Sequence, residues 1–88
     1  DIGTWQAIPD VLPTDEDGNA MSGDVLNLDS HNVTVYGRPG RLVAIVDAQD
    51  LIVVDTEDAI LVCPRDSAQR VKDVVAKLEQ DPDRARFT

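Results

Sequence analysis

One cysteine, one histidine, one tryptophan, one tyrosine and one phenylalanine are all that these 88 residues hold of the side chains most used for redox, metal and stacking chemistry. Cys63 cannot close a disulfide within the chain, and with His31 as the single imidazole there is no Cys/His set for zinc. Basic residues are also scarce, 8 against 17 acidic, for a formal charge of −9. A surface of that sign repels phosphate backbones and anionic lipid, so nucleic acid and membrane surfaces are excluded as expected partners. No apolar run approaches the roughly 18 residues of a membrane span, and no signal-peptide pattern is present; a soluble, cytoplasmic protein is expected. Asn32-Val33-Thr34 matches a glycosylation sequon, which without a secretory signal is taken as chance.

The length allows one small domain, which hides only about 60–65% of its unfolded surface. Part of its apolar surface is therefore expected to need a neighbour, another domain or a second copy. The first residue is Asp1 and not Met, which suggests a chain excised from something longer.

Short apolar runs rich in Val, Ile and Leu dominate the middle, at residues 33–35, 42–46, 51–54 and 59–62, with 25–28 as a weaker fifth. Their spacing of about eight to ten residues suits strands separated by polar corners such as Asp29-Ser30-His31-Asn32 and Asp47-Ala48-Gln49-Asp50. Leu51-Ile52-Val53-Val54 does not alternate, which predicts a strand covered on both faces. A sandwich, a small barrel and a β-solenoid all fit this spacing.

Ala68, Val71, Val74, Val75 and Leu78 recur at helical spacing and predict a helix over residues 67–80, opened by an Asp66-Ser67-Ala68-Gln69 capping box. Its stripe has to cover the end or the flank of the β unit. Residues 84–88 read as a frayed tail. At the other end, Thr4 could cap a short helix through Trp5, which Pro9 and Pro13 interrupt. Asp15-Glu16-Asp17-Gly18-Asn19 is a turn sequence.

Candidate chemistry is sparse. Placing Gly18 on the glycine of a calcium loop puts Pro13 at the first ligand, so a plain turn is the better account. His31 has no nucleophile with recognisable flanks and reads as a surface histidine. Gly37-Arg38-Pro39-Gly40-Arg41 is the single Gly/Arg cluster; a turn between strands is favoured over an anion site. Cys63 is expected to pack, Trp5 to lie near a domain junction, and Arg65 to pair with Asp58 or Asp66. No Gly-rich phosphate cradle occurs.

Several blocks nevertheless resemble one family. Asp1-Ile2-Gly3-Thr4-Trp5 looks like the Asp-x-Gly-Ser/Thr-Trp element of sugar-1-phosphate nucleotidylyltransferases. Gly40-Arg41-Leu42-Val43-Ala44, then Asp50 through Thr56, and Asp58 through Arg65 follow in the order and spacing of bacterial mannose-1-phosphate guanylyltransferases. The resemblance covers roughly residues 1–78 and points to the C-terminal part of such an enzyme. It implies a mainly β fold: the end of a catalytic-domain element and a linker over 1–22, a short left-handed parallel β-helix over 23–66, a helix over 67–80 and a tail over 81–88. It implies that the whole enzyme joins GTP and mannose 1-phosphate to give GDP-mannose and pyrophosphate with Mg²⁺, and that Asp1 is one metal ligand there. It further implies a structural and dimerisation role for this region, beside its own N-terminal catalytic domain, with no activity in isolation. Alternatives are a stand-alone β-solenoid interaction module, the equivalent domain of another sugar-1-phosphate nucleotidylyltransferase, and a hexapeptide-repeat acyltransferase. The last is disfavoured because no strict six-residue aliphatic period is present. Relatives that continue into a cupin isomerase domain are known in the family, and these residues do not show whether one follows.

Overall fold

The computed structural model describes residues 14–56 and 58–87. Six strands come first: β1 (Ala20–Ser22), β2 (Asp24–Leu28), β3 (Thr34–Tyr36), β4 (Leu42–Val46), β5 (Leu51–Asp55) and β6 (Ile60–Pro64). A 3-10 turn (Arg65–Arg70) then leads into a single α-helix, α1 (Val71–Glu79), and a last 3-10 turn spans Ala85–Phe87. The described residues are mainly β with a C-terminal helix, as expected, and the strand order resolves the choice among sandwich, barrel and solenoid.

β1, β3 and β5 pair in parallel on one side, and β2 pairs in parallel with β4 on another. A bridge between His31 and Gln49 marks a third side. Successive turns stack with a shift of 18 in residue number, 24 to 42, 31 to 49 and 34 to 52. The chain thus coils as a β-helix, whose rungs are visible in the pairing although no six-residue aliphatic repeat marks them. The first coil is shorter, with Ala20 opposite Thr34. β1 falls within the stretch read as linker, where the sequence predicts no strand: Ala-Met-Ser carries too little β-branched content to announce one.

Corner residues explain the sharp bends. Asp29, Asn32, Asp47 and Asp50 all take positive φ, between 50 and 60°. Asp and Asn tolerate the left-handed region better than other side chains because their short polar groups bond locally. Asp47 and Asp50 repeat Asp29 and Asn32 one rung later, so the polar corners of the sequence are stacked bends.

β5 is covered on both faces. Val53 points inward to join Val33, Val35 and Ile45 in the coil interior, while Ile52 and Val54 point outward to Leu61 and Val71. Removing such side chains from water contributes about 1.5–3 kcal/mol each. β6 turns back antiparallel to β5 and ends the coil. The helix therefore lies on the outer flank of β5 and β6, through Val71, Val75 and Leu78, instead of over the open end of the coil.

Three local expectations change. The helical segment begins at Arg65 as a 3-10 turn with no side-chain cap. The Arg65 N–H is already bonded to the Asp50 carbonyl at 2.8 Å, so the chain turns at once and Asp66 sits inside the turn, where it cannot act as a cap. The tail does not fray: Phe87 packs on the outer core, and the Asp81 carbonyl accepts the N–H groups of Arg84 and Ala85 at 3.0 and 2.8 Å. Among the described residues Arg65 meets no carboxylate; its guanidinium bonds to the side chain and carbonyl of Asn32. The short N-terminal helix, Trp5 and Asp1 lie outside the described residues.

Candidate interaction surface

Alternation along β2 and β4 turns Val25, Asn27, Val43 and Ile45 inward and the other positions outward. Apart from Asp24 at the start of β2, the outward set is apolar. Leu26 and Leu28 on β2 are each 53% exposed, and Leu42 and Val46 on β4 are 58% and 60% exposed. Register brings Leu26 beside Ala44 and Leu28 beside Val46, so these side chains form one continuous flat patch. An exposed apolar sheet face on a chain this acidic is a candidate interaction surface.

A second apolar feature runs between β6 and α1. This open groove of about 410 Å³ is lined by Leu61, Val62, Val71 and Val74, with Arg70 and Lys77 at its rim. Cys63 also contributes; its half-buried thiol has a pKa pushed up by desolvation, which keeps it protonated and unreactive near neutral pH.

The polar side chains are committed to scaffolding. Asn19, almost fully buried, donates to the Ser30 carbonyl at 2.8 Å and accepts the Val33 N–H at 2.9 Å. Ser30 Oγ accepts the Ala48 N–H at 3.0 Å, and Asn32 donates to Asp50 at 2.6 Å, each bond linking residues 18 apart and hence adjacent rungs. His31 is exposed at a corner, 3.8 Å from Asp17, with no nucleophile beside it among the described residues. Asp15 Oδ1 accepts the N–H groups of Asp17 and Asn19, closing the expected Asp15–Asn19 turn.

Gly37–Arg41 is a turn, as read: the Arg41 N–H donates to the Arg38 carbonyl at 3.2 Å with Gly40 at φ +86°. Arg41 also carries the feature that sequence reasoning missed. Its Nη1 pairs at 3.0 Å with Asp55 Oδ1, and the Asp55 side chain is wholly buried. Nothing in the sequence marks that partner, because Asp55 follows an apolar run like any strand-ending acid. Near the C-terminus, a hydrogen bond from the Arg84 guanidinium, helped by the Asp83 N–H, lowers the pKa of half-buried Asp81.

Among the described residues no three His, Cys, Asp or Glu side chains gather as a metal site, and no described helix is long and apolar enough to cross a membrane. The described surface thus offers apolar faces over a hydrogen-bonded polar frame in which Asp55 Oδ2 is the buried side-chain atom left without a partner among the described residues.

The family model for the MannoseP isomerase/GMP-like β-helix domain matches residues 23–78. The chain belongs to that family. It is 44% identical over 79 residues to the alginate biosynthesis protein AlgA of Pseudomonas aeruginosa, covering 90% of this chain and 16% of that protein. It is 37% identical over 79 residues to the mannose-1-phosphate guanylyltransferase of Escherichia coli, covering 90% of this chain and 17% of that one. The crystal structure of a protein described as mannose-1-phosphate geranyltransferase from Thermus thermophilus superposes with a TM-score of 0.71 at 34% identity, over 85% of this chain and 23% of that one. The chain spans about a sixth of the length of these curated relatives. It is their β-helix domain that it resembles, and the coil described above is that domain's architecture.

Proposed function

We propose that this chain is the β-helix domain of a cytoplasmic mannose-1-phosphate guanylyltransferase, joining GTP and mannose 1-phosphate into GDP-mannose and pyrophosphate, and that its own part is structural. It supports the catalytic domain and assists homodimerisation; alone it is inactive. The observation that carries this reading is the exposed apolar face of β2 and β4, which has the character of an interface and lacks any catalytic constellation. The left-handed sense of the coil rests on the family resemblance. So does the assignment of Asp1, outside the described residues, as one ligand of the Mg²⁺ that neutralises phosphate charge in the complete enzyme. The described residues bind neither metal nor nucleotide in this proposal.

Incubating the purified 88-residue chain with GTP, mannose 1-phosphate and Mg²⁺ tests it. No pyrophosphate release is expected, and turnover would overturn the structural assignment. Light scattering across micromolar to millimolar protein tests the pairing separately: a dimer is expected, and a monomer throughout would defeat the dimer claim while leaving the support of the catalytic domain untouched.

A further inference from the structure

β6 is the last strand of its sheet, and among the described residues it pairs with β5 alone. The phase of that ladder is fixed at both ends. The Thr56 N–H donates to the Ala59 carbonyl at 2.9 Å, and the Arg65 N–H donates to the Asp50 carbonyl at 2.8 Å. Bonded and non-bonded pairs alternate along antiparallel strands, so the pairs Val54/Leu61 and Ile52/Cys63 exchange the ladder bonds. Ile60 and Val62 then aim both N–H and C=O away from β5, whereas the Pro64 carbonyl caps the 3-10 turn that follows. The outward groups of Ile60 and Val62 have no hydrogen-bond partner among the described residues.

Edge strands are ordinarily protected by charge, bulges or a covering element. Ile60–Pro64 reads Ile-Leu-Val-Cys-Pro and carries no charge, while Ile60 and Val62 are 54% and 60% exposed. Directly beside this edge runs the groove under α1. At its rim Arg70 is engaged by Asp73 at 3.3 Å, whereas Lys77 makes no ion pair or hydrogen bond among the described residues.

We propose that β6 is an acceptor for an added strand: an extended peptide with apolar side chains at alternate positions and an acidic residue that meets Lys77. An extended backbone presents donors and acceptors at the spacing of those on Ile60 and Val62, whereas a helix has already used its own. Alternate side chains of such a strand enter the groove onto Leu61, Val71 and Val74, and the others continue the row of Ile60 and Val62. The acid sets register, because Lys77 is the unmatched cation at the rim. A second copy of this chain fits less well. Each copy carries a charge of −9, and its β6 has no acid to offer Lys77.

The test uses a synthetic peptide of alternating Val and Thr with one Glu, titrated into the full 88-residue chain. Amide hydrogen exchange is followed by NMR. Exchange of the Ile60 and Val62 amides is expected to slow by about tenfold or more at saturation. A peptide N-methylated at its centre should lose that protection, and Lys77→Glu should weaken binding of the Glu peptide while restoring binding of a Lys version. Val62→Pro removes an N–H that does not serve the β5 ladder, so it should abolish binding with the fold kept; the N-methylated peptide gives the same information should that variant not fold. Equal binding of the N-methylated peptide, or no protection at millimolar peptide, overturns the proposal. Protection that rises with protein concentration and no peptide overturns it too, since the edge would then belong to a second copy.

Discussion

Arg41 Nη1 reaches Asp55 Oδ1 at 3.0 Å, tying the start of β4 to the end of β5, and leaves Asp55 Oδ2 buried with no partner among the described residues. The guanidinium is half in water, the carboxylate wholly out of it. The pair therefore sits between two regimes: exposed pairs contribute about 0–1 kcal/mol, whereas stranding a buried charge costs several.

Arg41→Ala is expected to cost about 1–3 kcal/mol, most of it the desolvated carboxylate left alone. Replacing both partners, as Arg41→Met with Asp55→Leu, should cost less than Arg41→Ala by itself. Urea unfolding of the two variants and the parent checks this, and a single substitution within about 0.5 kcal/mol of the parent would mean that water already solvates Asp55.

Asn19 holds the first coil to the second. Its amide meets one carbonyl and one N–H that are otherwise buried and unpaired, so Asn19→Ala should cost about 2 kcal/mol. The Val33 amide is the local reporter. Its hydrogen exchange should accelerate in Asn19→Ala more than that of Val53, which does not depend on Asn19.

Legibility in the sequence followed the physics of each element. β4 and β5 announced themselves because Val, Ile and Leu cluster there, and the unbroken run at 51–54 gave away a strand buried on both faces. β1 was hidden, being three residues of weak propensity. The 3-10 entry to the helix was hidden too, since it is set by the Arg65-to-Asp50 bond across the coil, a tertiary contact that local pattern does not encode. The rung length was equally silent: stacking is specified by polar corners such as Asn32 on Asp50, and not by an aliphatic period. Of the candidate surface, the inward and outward phases of β2 and β4 could be read only once their pairing was known.

Glycine positions separate two kinds of constraint. Gly23 has φ +84° and a Cβ there would come 2.5 Å from the Gly37 carbonyl carbon, while Gly40 has φ +86° and open space around it. Gly40→Ala should therefore cost about 1–2 kcal/mol, the left-handed backbone penalty alone. Gly23→Ala adds a clash between two backbones that neither can relieve by rotating a side chain, and should cost about 3 kcal/mol or more. Thermal unfolding of the two variants tests the order; equal losses would show that the coils can separate locally at no cost.

Burial raises the pKa of the Cys63 thiol, and the sign of the linkage follows. The folded state disfavours the thiolate, so this contribution to stability is intact below the thiol's unfolded pKa and is lost as pH rises through the folded one. Stability should decline above about pH 8.5, and Cys63→Ser should remove that part of the slope. Iodoacetamide should alkylate Cys63 in the native chain more slowly than in the unfolded one at pH 8. Matching rates would place the thiol in water.

Leu26 and Val46 point out of the coil on neighbouring strands, so replacing both with Lys should leave folding within about 0.5 kcal/mol of the parent. The two lysines also bring the chain's charge closer to neutrality, so any association they abolish cannot be blamed on added repulsion. Light scattering should show the proposed dimer lost in Leu26→Lys/Val46→Lys, and pull-down with a separately expressed catalytic domain should weaken with an unchanged melting curve. Retention of both associations would remove the β2–β4 face from the interface and leave its exposed leucines without a partner to explain them.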